Sequence, residues 1–497
     1  MAQGVIADSV NRVVVGLGVT GLSCARYLHR RGLPFSVVDT RADAPGLEDF
    51  RREMPEVPVY AGEYPLALVA AAAELVVSPG VAMDAPVVVQ AREAGVSVVG
   101  DIDLFVREAA APVVGITGSN AKSTVTELVG QMARDAGLDV GVGGNLGTPA
   151  LDLLKPGREL YVLELSSFQL ERAGELGLEV ATVLNISPDH LDRHGSMPLY
   201  HQAKHRIFRG CRKAVVNGDD PLTIPLVGPG VEIISWRLGR PQGQGFGVVA
   251  TAGEEMLCHG PAPLLPSREL GLVGRHNVAN ALAALALGYA AGLPLASMLA
   301  TLRQFRGLPH RCQQVAELAG VTYVNDSKGT NIGATIAALE GLGEGRNILL
   351  IAGGQGKGAD FTLLQPAVAR HCKLVLLLGE DAPALQAALE GQAPVTRVAS
   401  MEEAVTSAAV RAVAGDVVLL SPACASFDEF GDYAERGAED ARGREHGRLS
   451  GHHRQFAGGE SIHDFDDTIE LHGDVGSDDG AAAVHDSRGG GRAGMDD

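Results

Sequence analysis

The chain has 497 residues, enough for about three domains at roughly 150 residues each. Nearly half of it is apolar, glycine is abundant and aromatic residues make up only 4%, a balance that suits α/β domains with short strands and glycine turns. A formal net charge of −19 argues against a nucleic-acid or anionic-membrane binder, so an anionic ligand must be held by local basic groups and metal.

Cysteines 24, 211, 258, 312, 372 and 424 are scattered without a C-x-x-C pair, as reduced residues of a cytosolic protein would be. No basic, apolar signal pattern opens the chain, and the alanine-rich run 279–291 is shorter than a bilayer span. A cytoplasmic protein, working as a monomer without nucleic acid or membrane, is the expectation.

In chain order, residues 12–21 read as a strand entering a G-x-G-x-x-G turn, with a helix from Leu22, and residues 35–41 as a second strand ending near Asp39. An acid about twenty residues beyond such glycines is a dinucleotide fingerprint. It supports a rival reading, an NAD-binding redox or sensor protein, and a purely structural glycine turn is a third. A further strand at 74–77 ends in Ser78-Pro-Gly80, and 96–100 completes a small doubly wound domain.

Residues 113–117 form an apolar strand, Gly118-Ser-Asn-Ala-Lys-Ser-Thr124 a tight turn, and Val125 begins an amphipathic run. Such a turn presents unpaired N–H groups and the positive end of a helix dipole to phosphate. Lys122 would meet the β/γ-phosphates, while Ser123 or Thr124 offers a hydroxyl to Mg²⁺. Ala121 stands where a P-loop has glycine, and the upstream glycine would fall at Ile116; alanine is acceptable there only with an ordinary φ. The alternative is a helix cap with a surface lysine.

Residues 161–164 are a buried strand ending in Glu164, placed for Mg²⁺ beside the loop. The strand at 181–186 leads into Asp189-His-Leu-Asp192, where His190 is a candidate metal ligand. Residues 200–208 are helical by spacing, and Lys204 reads on its own as a solvated lysine. After Gly274 an apolar helix carries Asn277 and Asn280 on one face. The helical pattern breaks at 305–311. Strands at 321–325, 347–352, 373–378 and 416–421, each followed by glycine or polar loops, form a third α/β unit. From Ala438 the chain holds fourteen acids, six arginines and six of the fifteen histidines without hydrophobic periodicity, which predicts a disordered acidic tail.

Taken together, Thr117-Gly-Ser-Asn-Ala-Lys-Ser-Thr124, Gly143-Gly-Asn145, Leu163-Glu-Leu-Ser-Ser-Phe-Gln169, Asp189-His-Leu-Asp192, Gly307-Leu-Pro-His-Arg311, Asn325-Asp-Ser-Lys328 and Leu420-Ser-Pro-Ala-Cys-Ala-Ser426 resemble the Mur ligases of bacterial cell-wall synthesis. The resemblance runs across residues 1 to about 437 and is nearest to the branch that adds D-glutamate to UDP-N-acetylmuramoyl-L-alanine. It implies an α/β protein of three domains: a Rossmann-like N-terminal domain for the UDP substrate (1–100), a central P-loop ATPase-type domain (101–307) and a Rossmann-like C-terminal domain for the amino acid (308–437), before the tail 438–497.

The resemblance also implies roles. Gly18, Val19, Thr20, Asp39, Thr40, Arg41 and Gly80 would hold the UDP substrate, with Asn145 on its muramoyl part. Gly118, Ser119, Asn120, Ala121, Lys122, Ser123 and Thr124 would bind ATP, joined by Asn277, Asn280, Arg311, Asp326 and Lys328. Ser123 and Glu164 would serve one Mg²⁺, and His190 a second. Lys204 matches a lysine that the family carbamylates with CO₂, turning a cation into an anion that can face metal. Thr330, Lys328, Lys357, Ser426 and Tyr433 would form the D-glutamate pocket. Lys122, Glu164, His190 and Lys204 are thus the expected catalytic group. Another Mur ligase or a folylpolyglutamate synthase-like ligase shares this plan, so the choice rests on the first domain and the glutamate pocket.

Overall fold

The computed structural model describes residues 11–438 except 252, 273, 357, 427 and 433. The expected sites Lys357 and Tyr433, and the tail from 439, lie outside the described residues. Three sheets follow one another along the chain.

The first contains β1 (Arg12–Val15), β2 (Phe35–Asp39), β3 (Val59–Ala61), β4 (Glu74–Val77) and β5 (Ser97–Val99), all parallel in the order β3-β2-β1-β4-β5. Val13, Val14 and Val15 are fully buried, which explains the unbroken apolar run of β1: a parallel strand covered by helices on both faces has no solvent side. The chain leaves β1 toward β2 and returns to β4 on the other side, so a crevice opens at the C-terminal end of β1. The glycine turn sits there. A Cβ on Gly21 would come within 1.8 Å of the Gly16 carbonyl oxygen, so only glycine lets the helix Val19–Arg30 start so close to the strand.

The second sheet contains β6 (Val113–Thr117), β7 (Val140–Gly144), β8 (Leu160–Glu164), β9 (Val180–Val183), β10 (Lys213–Asn217), β11 (Glu232–Trp236), β12 (Phe246–Thr251), β13 (Glu254–His259) and β14 (Ala262–Pro266). Its order is β14-β13-β12-β11-β10-β9-β6-β8-β7. The pairings from β7 to β12 are parallel, and β12 to β14 form an antiparallel meander at one edge. β6 lies between β8 and β9, the point where connections diverge to opposite sides. Against this sheet pack the helix Lys122–Asp135 and the helix Arg275–Ala290. The second is apolar on nearly every side, with Leu282, Leu285 and Leu287 at 0% exposure, as a helix enclosed by protein must be.

The third contains β15 (Gln313–Leu318), β16 (Val321–Asn325), β17 (Ile348–Gly353), β18 (Cys372–Leu378), β19 (Val395–Arg397) and β20 (Val417–Leu420) in the order β15-β16-β20-β17-β18-β19. Only β15 runs antiparallel to its neighbour. The adjacent strands β16, β20 and β17 therefore release their loops along one edge.

Helices begin earlier than hydrophobic periodicity indicates, at Val19 rather than Leu22 and at Lys122 rather than Val125. The reason is that first-turn residues face the ligand loop, not the core. Among the described residues, no helix is long and apolar enough to cross a membrane.

Candidate active site

The turn after β6 is fastened to the chain after β9. Ser119 N–H donates to the Asn185 carbonyl (2.9 Å). Asn120 N–H donates to Asn185 Oδ1 (2.8 Å), and Asn185 Nδ2 returns a bond to the Asn120 carbonyl (3.1 Å). Ala121 then turns left-handed, with φ 66°, and the helix starts at Lys122. This corrects the expectation of an ordinary φ. The loop keeps the conformation a glycine would adopt, at a cost of about 1–2 kcal/mol for the alanine Cβ, offset by the Asn120–Asn185 pair on one side and the helix on the other.

Lys122 folds back, its Nζ donating to the Gly118 and Ser119 carbonyls at 2.9 Å each. The Ser123 hydroxyl donates to Glu164 Oε2 (2.5 Å), and Asn145 Nδ2 donates to Glu164 Oε1 (2.7 Å). Asn145, expected on the muramoyl group, thus lies on the carboxylate nominated for metal. Arg311 arrives from the third domain and donates from Nη2 to Ser123 Oγ (2.5 Å), a contact between residues 188 positions apart.

Lys204 is 1% exposed, so the solvated-lysine reading is wrong. Lys204 lies one helical turn from the equally buried Tyr200, its ammonium 4.6 Å from that ring centroid, and donates to the Gly118 carbonyl at 2.7 Å. Burial, then the neighbouring Lys122 charge, pushes the Lys204 amine well below the ordinary lysine range. Two lysines on one carbonyl are a cationic crowd that an anion would relieve. His190 stands in a left-handed turn (φ 53°) before the helix Leu191–His194, its Nε2 3.7 Å from Asp189 Oδ2 and its ring 4.9 Å from that of Phe168. Among the described residues, no three His, Cys, Asp or Glu side chains cluster tightly enough to hold a metal alone.

A cleft opens from this loop between the second and third domains. Asn120, Ala121 and Thr124 meet Asn277 and Asn280 there, and Arg311, Asp326 and Lys328 line the same space. Asn280 Nδ2 donates to Asn277 Oδ1 (3.0 Å), as their one-face spacing predicts. Burial pushes the Asp326 carboxyl up to about 6, although the Ser421 hydroxyl (2.8 Å) and Cys312 N–H (3.1 Å) donate to it. Burial, reinforced by Arg311, brings Lys328 down to about 8. Asn331 Nδ2 donates across the cleft to Asn120 Oδ1 (3.0 Å) and Asp189 Oδ2 (3.1 Å). Of the expected amino-acid pocket, Thr330 follows Lys328 in the loop after β16, and Ser426, buried, closes the loop after β20.

In the first domain, Gly18 precedes the helix, Val19 is exposed and Thr20 follows. Asp39 is buried at the end of β2; its Oδ2 accepts from Leu17 N–H (2.7 Å) and its Oδ1 from Arg41 N–H (2.9 Å). Burial raises the Asp39 carboxyl, but the Arg41 guanidinium and these amides outweigh it, leaving it below the usual range. Thr40 is exposed between them, and Gly80 has open space where a Cβ would project.

Several residues of the site carry no sequence signal. Arg436, 2% exposed, donates to Ser327 Oγ (3.1 Å), the Ser327 carbonyl (2.8 Å) and the Cys424 carbonyl (3.2 Å), joining the loops after β16 and β20. Asn185, Asn331, Arg172 and His276 act likewise through partners distant in the chain. A Cβ on Gly341 would lie 2.1 Å from His276 Nδ1, so a glycine in the helix Ile332–Leu342 lets the third domain cover this histidine. Among the described residues neither ring nitrogen of His276 has a hydrogen-bond partner, and burial lowers it to about 4. Between that value and about 6.5 the unfolded chain binds more protons than the folded one, so stability falls as pH drops through this window. His194, lowered to about 4 by burial and then by His190, adds to the loss. Denaturant titrations from pH 7 to 4.5 should show a loss of a few kcal/mol, and His276→Gln should flatten its slope.

A phosphate loop at the end of an interior strand flanked by parallel neighbours, with a glycine-loop domain before it and a domain that sends an arginine into it, defines a three-domain nucleotide-dependent α/β protein. Residues 10–100 match the Mur ligase MurD-like N-terminal domain, 116–288 the Mur ligase middle domain and 310–424 the Mur ligase glutamate ligase domain. The chain belongs to the Mur ligase family. It is 55% identical over 438 residues to the UDP-N-acetylmuramoylalanine--D-glutamate ligase of Pseudomonas aeruginosa, covering 88% of this chain and 98% of that one. The enzyme of the same name from Marinobacter nauticus is 51% identical over 438 residues, with the same coverage. Among solved structures, the MurF ligase of Thermotoga maritima in complex with ADP superposes with a TM-score of 0.56 at 16% identity, over 89% of this chain and 96% of that one. The UDP-N-acetylmuramate-alanine ligase MurC of the same organism gives 0.53 at 19%, over 88% and 99%. At these identities the structures bear on the fold alone.

Proposed function

We infer that this chain joins D-glutamate to UDP-N-acetylmuramoyl-L-alanine with ATP, through an acyl phosphate, in the synthesis of peptidoglycan precursors. The observation that carries the reading is the bond from Arg311, in the domain matching the glutamate ligase profile, to Ser123 in the phosphate loop. An amino-acid domain that touches the ATP loop suits a reaction in which phosphate first activates a carboxylate and an amine then displaces it. The high identity to the D-glutamate ligases supports the choice of acceptor.

In the first step a carboxylate oxygen of the L-alanyl group attacks the γ-phosphorus and ADP leaves. Lys122 swings from its own loop carbonyls onto the phosphate oxygens, and Arg311 transfers from Ser123 to the same charge. In the second step the D-glutamate amine attacks the acyl carbon, loses a proton and expels phosphate. Lys328 and Thr330, with Ser426, Lys357 and Tyr433, orient the acceptor. Asn277 and Asn280 hold the nucleoside side of ATP, Asp326 orders the loop beneath Lys328, and the loops at Gly18–Thr20, Asp39–Arg41 and Gly80 hold the UDP. Residues 1–100, 101–307 and 308–437 serve as UDP-substrate, ATP and amino-acid domains. Every named group comes from one chain, so a monomer suffices, working in the cytoplasm where ATP is found.

The donor set fits magnesium: Ser123 and Glu164 offer hard oxygen ligands, and phosphate oxygens and water complete such a shell. His190, and Lys204 as its carbamate, would hold a second ion. When bound, Mg²⁺ neutralises the charge that gathers on the phosphates. Burial shifts Lys204 toward its neutral amine, which can add CO₂ with loss of a proton, and the resulting carbamate anion suits the cationic surroundings. Lys204→Ala is expected to lower kcat about a hundredfold, with part restored by added short carboxylates such as formate; activity unaffected by the substitution would refute the role.

Phosphate release from ATP, measured with UDP-N-acetylmuramoyl-L-alanine and separately with D-glutamate, L-lysine or meso-diaminopimelate, tests the assignment. Release should require D-glutamate. Release independent of it overturns the reading.

A further inference from the structure

The sequence motifs leave Arg172 unassigned, at the end of the short helix Ser167–Arg172 that follows β8. Its side chain is 0% exposed. The guanidinium crosses from the central into the N-terminal domain, where Nη1 donates to the Val77 carbonyl (3.1 Å) and the Ser78 carbonyl, and Nη2 to the Pro79 (3.3 Å) and Val81 (3.1 Å) carbonyls. Arg193, three residues beyond His190, donates to the Val81 carbonyl as well (2.9 Å). The turn they hold includes Gly80, and its Ser78 hydroxyl donates to the Gly16 carbonyl (2.7 Å), tying it to the first glycine loop.

This geometry has a direct consequence for the ligand loop. In a trans peptide the C=O and the next N–H point in opposite directions, so the bond from Arg172 to the Pro79 carbonyl turns the Gly80 N–H away from the guanidinium. A planar fork with several donors can hold a run of carbonyls in fixed register; an ammonium cannot. On the other side, Arg172 is attached to the strand that ends in Glu164, and Arg193 to the turn that carries His190.

We propose that Arg172 is a positioning residue for the UDP substrate: it sets the 77–81 turn against the Glu164 and His190 loops, so that a diphosphate held by the first domain places the acyl carboxylate opposite the ATP loop. The proposal rests on the function inferred above, but its test needs no turnover. Calorimetry on the full chain would measure binding of UDP-N-acetylmuramoyl-L-alanine and, separately, of ADP with Mg²⁺, in the wild type, Arg172→Lys and Arg172→Met. Both variants should bind the UDP substrate at least tenfold more weakly while ADP affinity changes less than twofold. In turnover, Arg172→Lys should raise KM for the UDP substrate and lower kcat as well, because the carboxylate is then misplaced from the ATP loop, while KM for ATP changes less than twofold. If Arg172→Met does not fold, Arg172→Lys, which keeps the charge and loses the fork, decides alone. Wild-type affinity for the UDP substrate in a folded variant, or equal weakening of both ligands, overturns the proposal. Failure of the functional reading has a separate signature, absence of D-glutamate-dependent phosphate release in the wild type.

Discussion

Lys122→Ala is expected to lower kcat for D-glutamate-dependent phosphate release by about a thousandfold or more, while the melting temperature stays within a few degrees of the wild type. The size follows from the chemistry: phosphoryl transfer is catalysed by positioning and charge, and one preorganised donor aimed at developing charge is worth about 10²–10³ in rate. Lys122 should exceed that range because its loss also removes the cation that shields Gly118–Ser119 from the incoming phosphates. Stability should change little, since among the described residues the ammonium donates to two carbonyls of its own loop and to no carboxylate. Circular dichroism and a coupled phosphate assay on the same preparation would check both halves. Turnover within tenfold of the wild type would refute the role.

Glu164→Gln should have a comparable effect by another route. The amide has the same shape and can still accept from Asn145 Nδ2, now 2.7 Å from Oε1, so folding is retained. It cannot supply the negative charge that a hard divalent cation needs. The expected result is a kcat lowered by about 10²–10³, together with a Mg²⁺ half-saturation raised at least tenfold in a metal titration. An unchanged Mg²⁺ dependence would remove Glu164 from the metal site. The two variants are separable, because Lys122→Ala should leave Mg²⁺ dependence near normal in whatever activity persists.

Much of the site was legible from local patterns. The strand at Val113–Thr117, the polar turn and the following helix announce a phosphate loop, because glycine and hydroxyl residues between an apolar strand and an amphipathic helix have few other uses. Lys204 was not legible in the same way. Its helix places it on the face of Tyr200, yet burying an amine is favourable only where something accepts it, and the acceptor is a carbonyl 86 residues earlier. Ala121 misled for the opposite reason: its intrinsic preference is against φ > 0, and the Asn120–Asn185 bonds across 65 residues override that preference. The covering of His276 depends on a glycine in another domain, which no reading of its own helix could indicate.

The sequence by itself determined three successive α/β units, the position of the phosphate loop at a strand end and the order of motifs that marks a Mur ligase. Strand periodicity, glycine turns and apolar runs are short-range properties, decided within a few residues by backbone sterics and burial. Only the tertiary structure decided that Arg311 reaches Ser123, that Arg172 grips the 77–81 turn and that Lys204 and Lys122 share one carbonyl. Those contacts join segments tens to nearly two hundred residues apart, and they form because sheet packing brings the strand ends together, not because any local preference requires them.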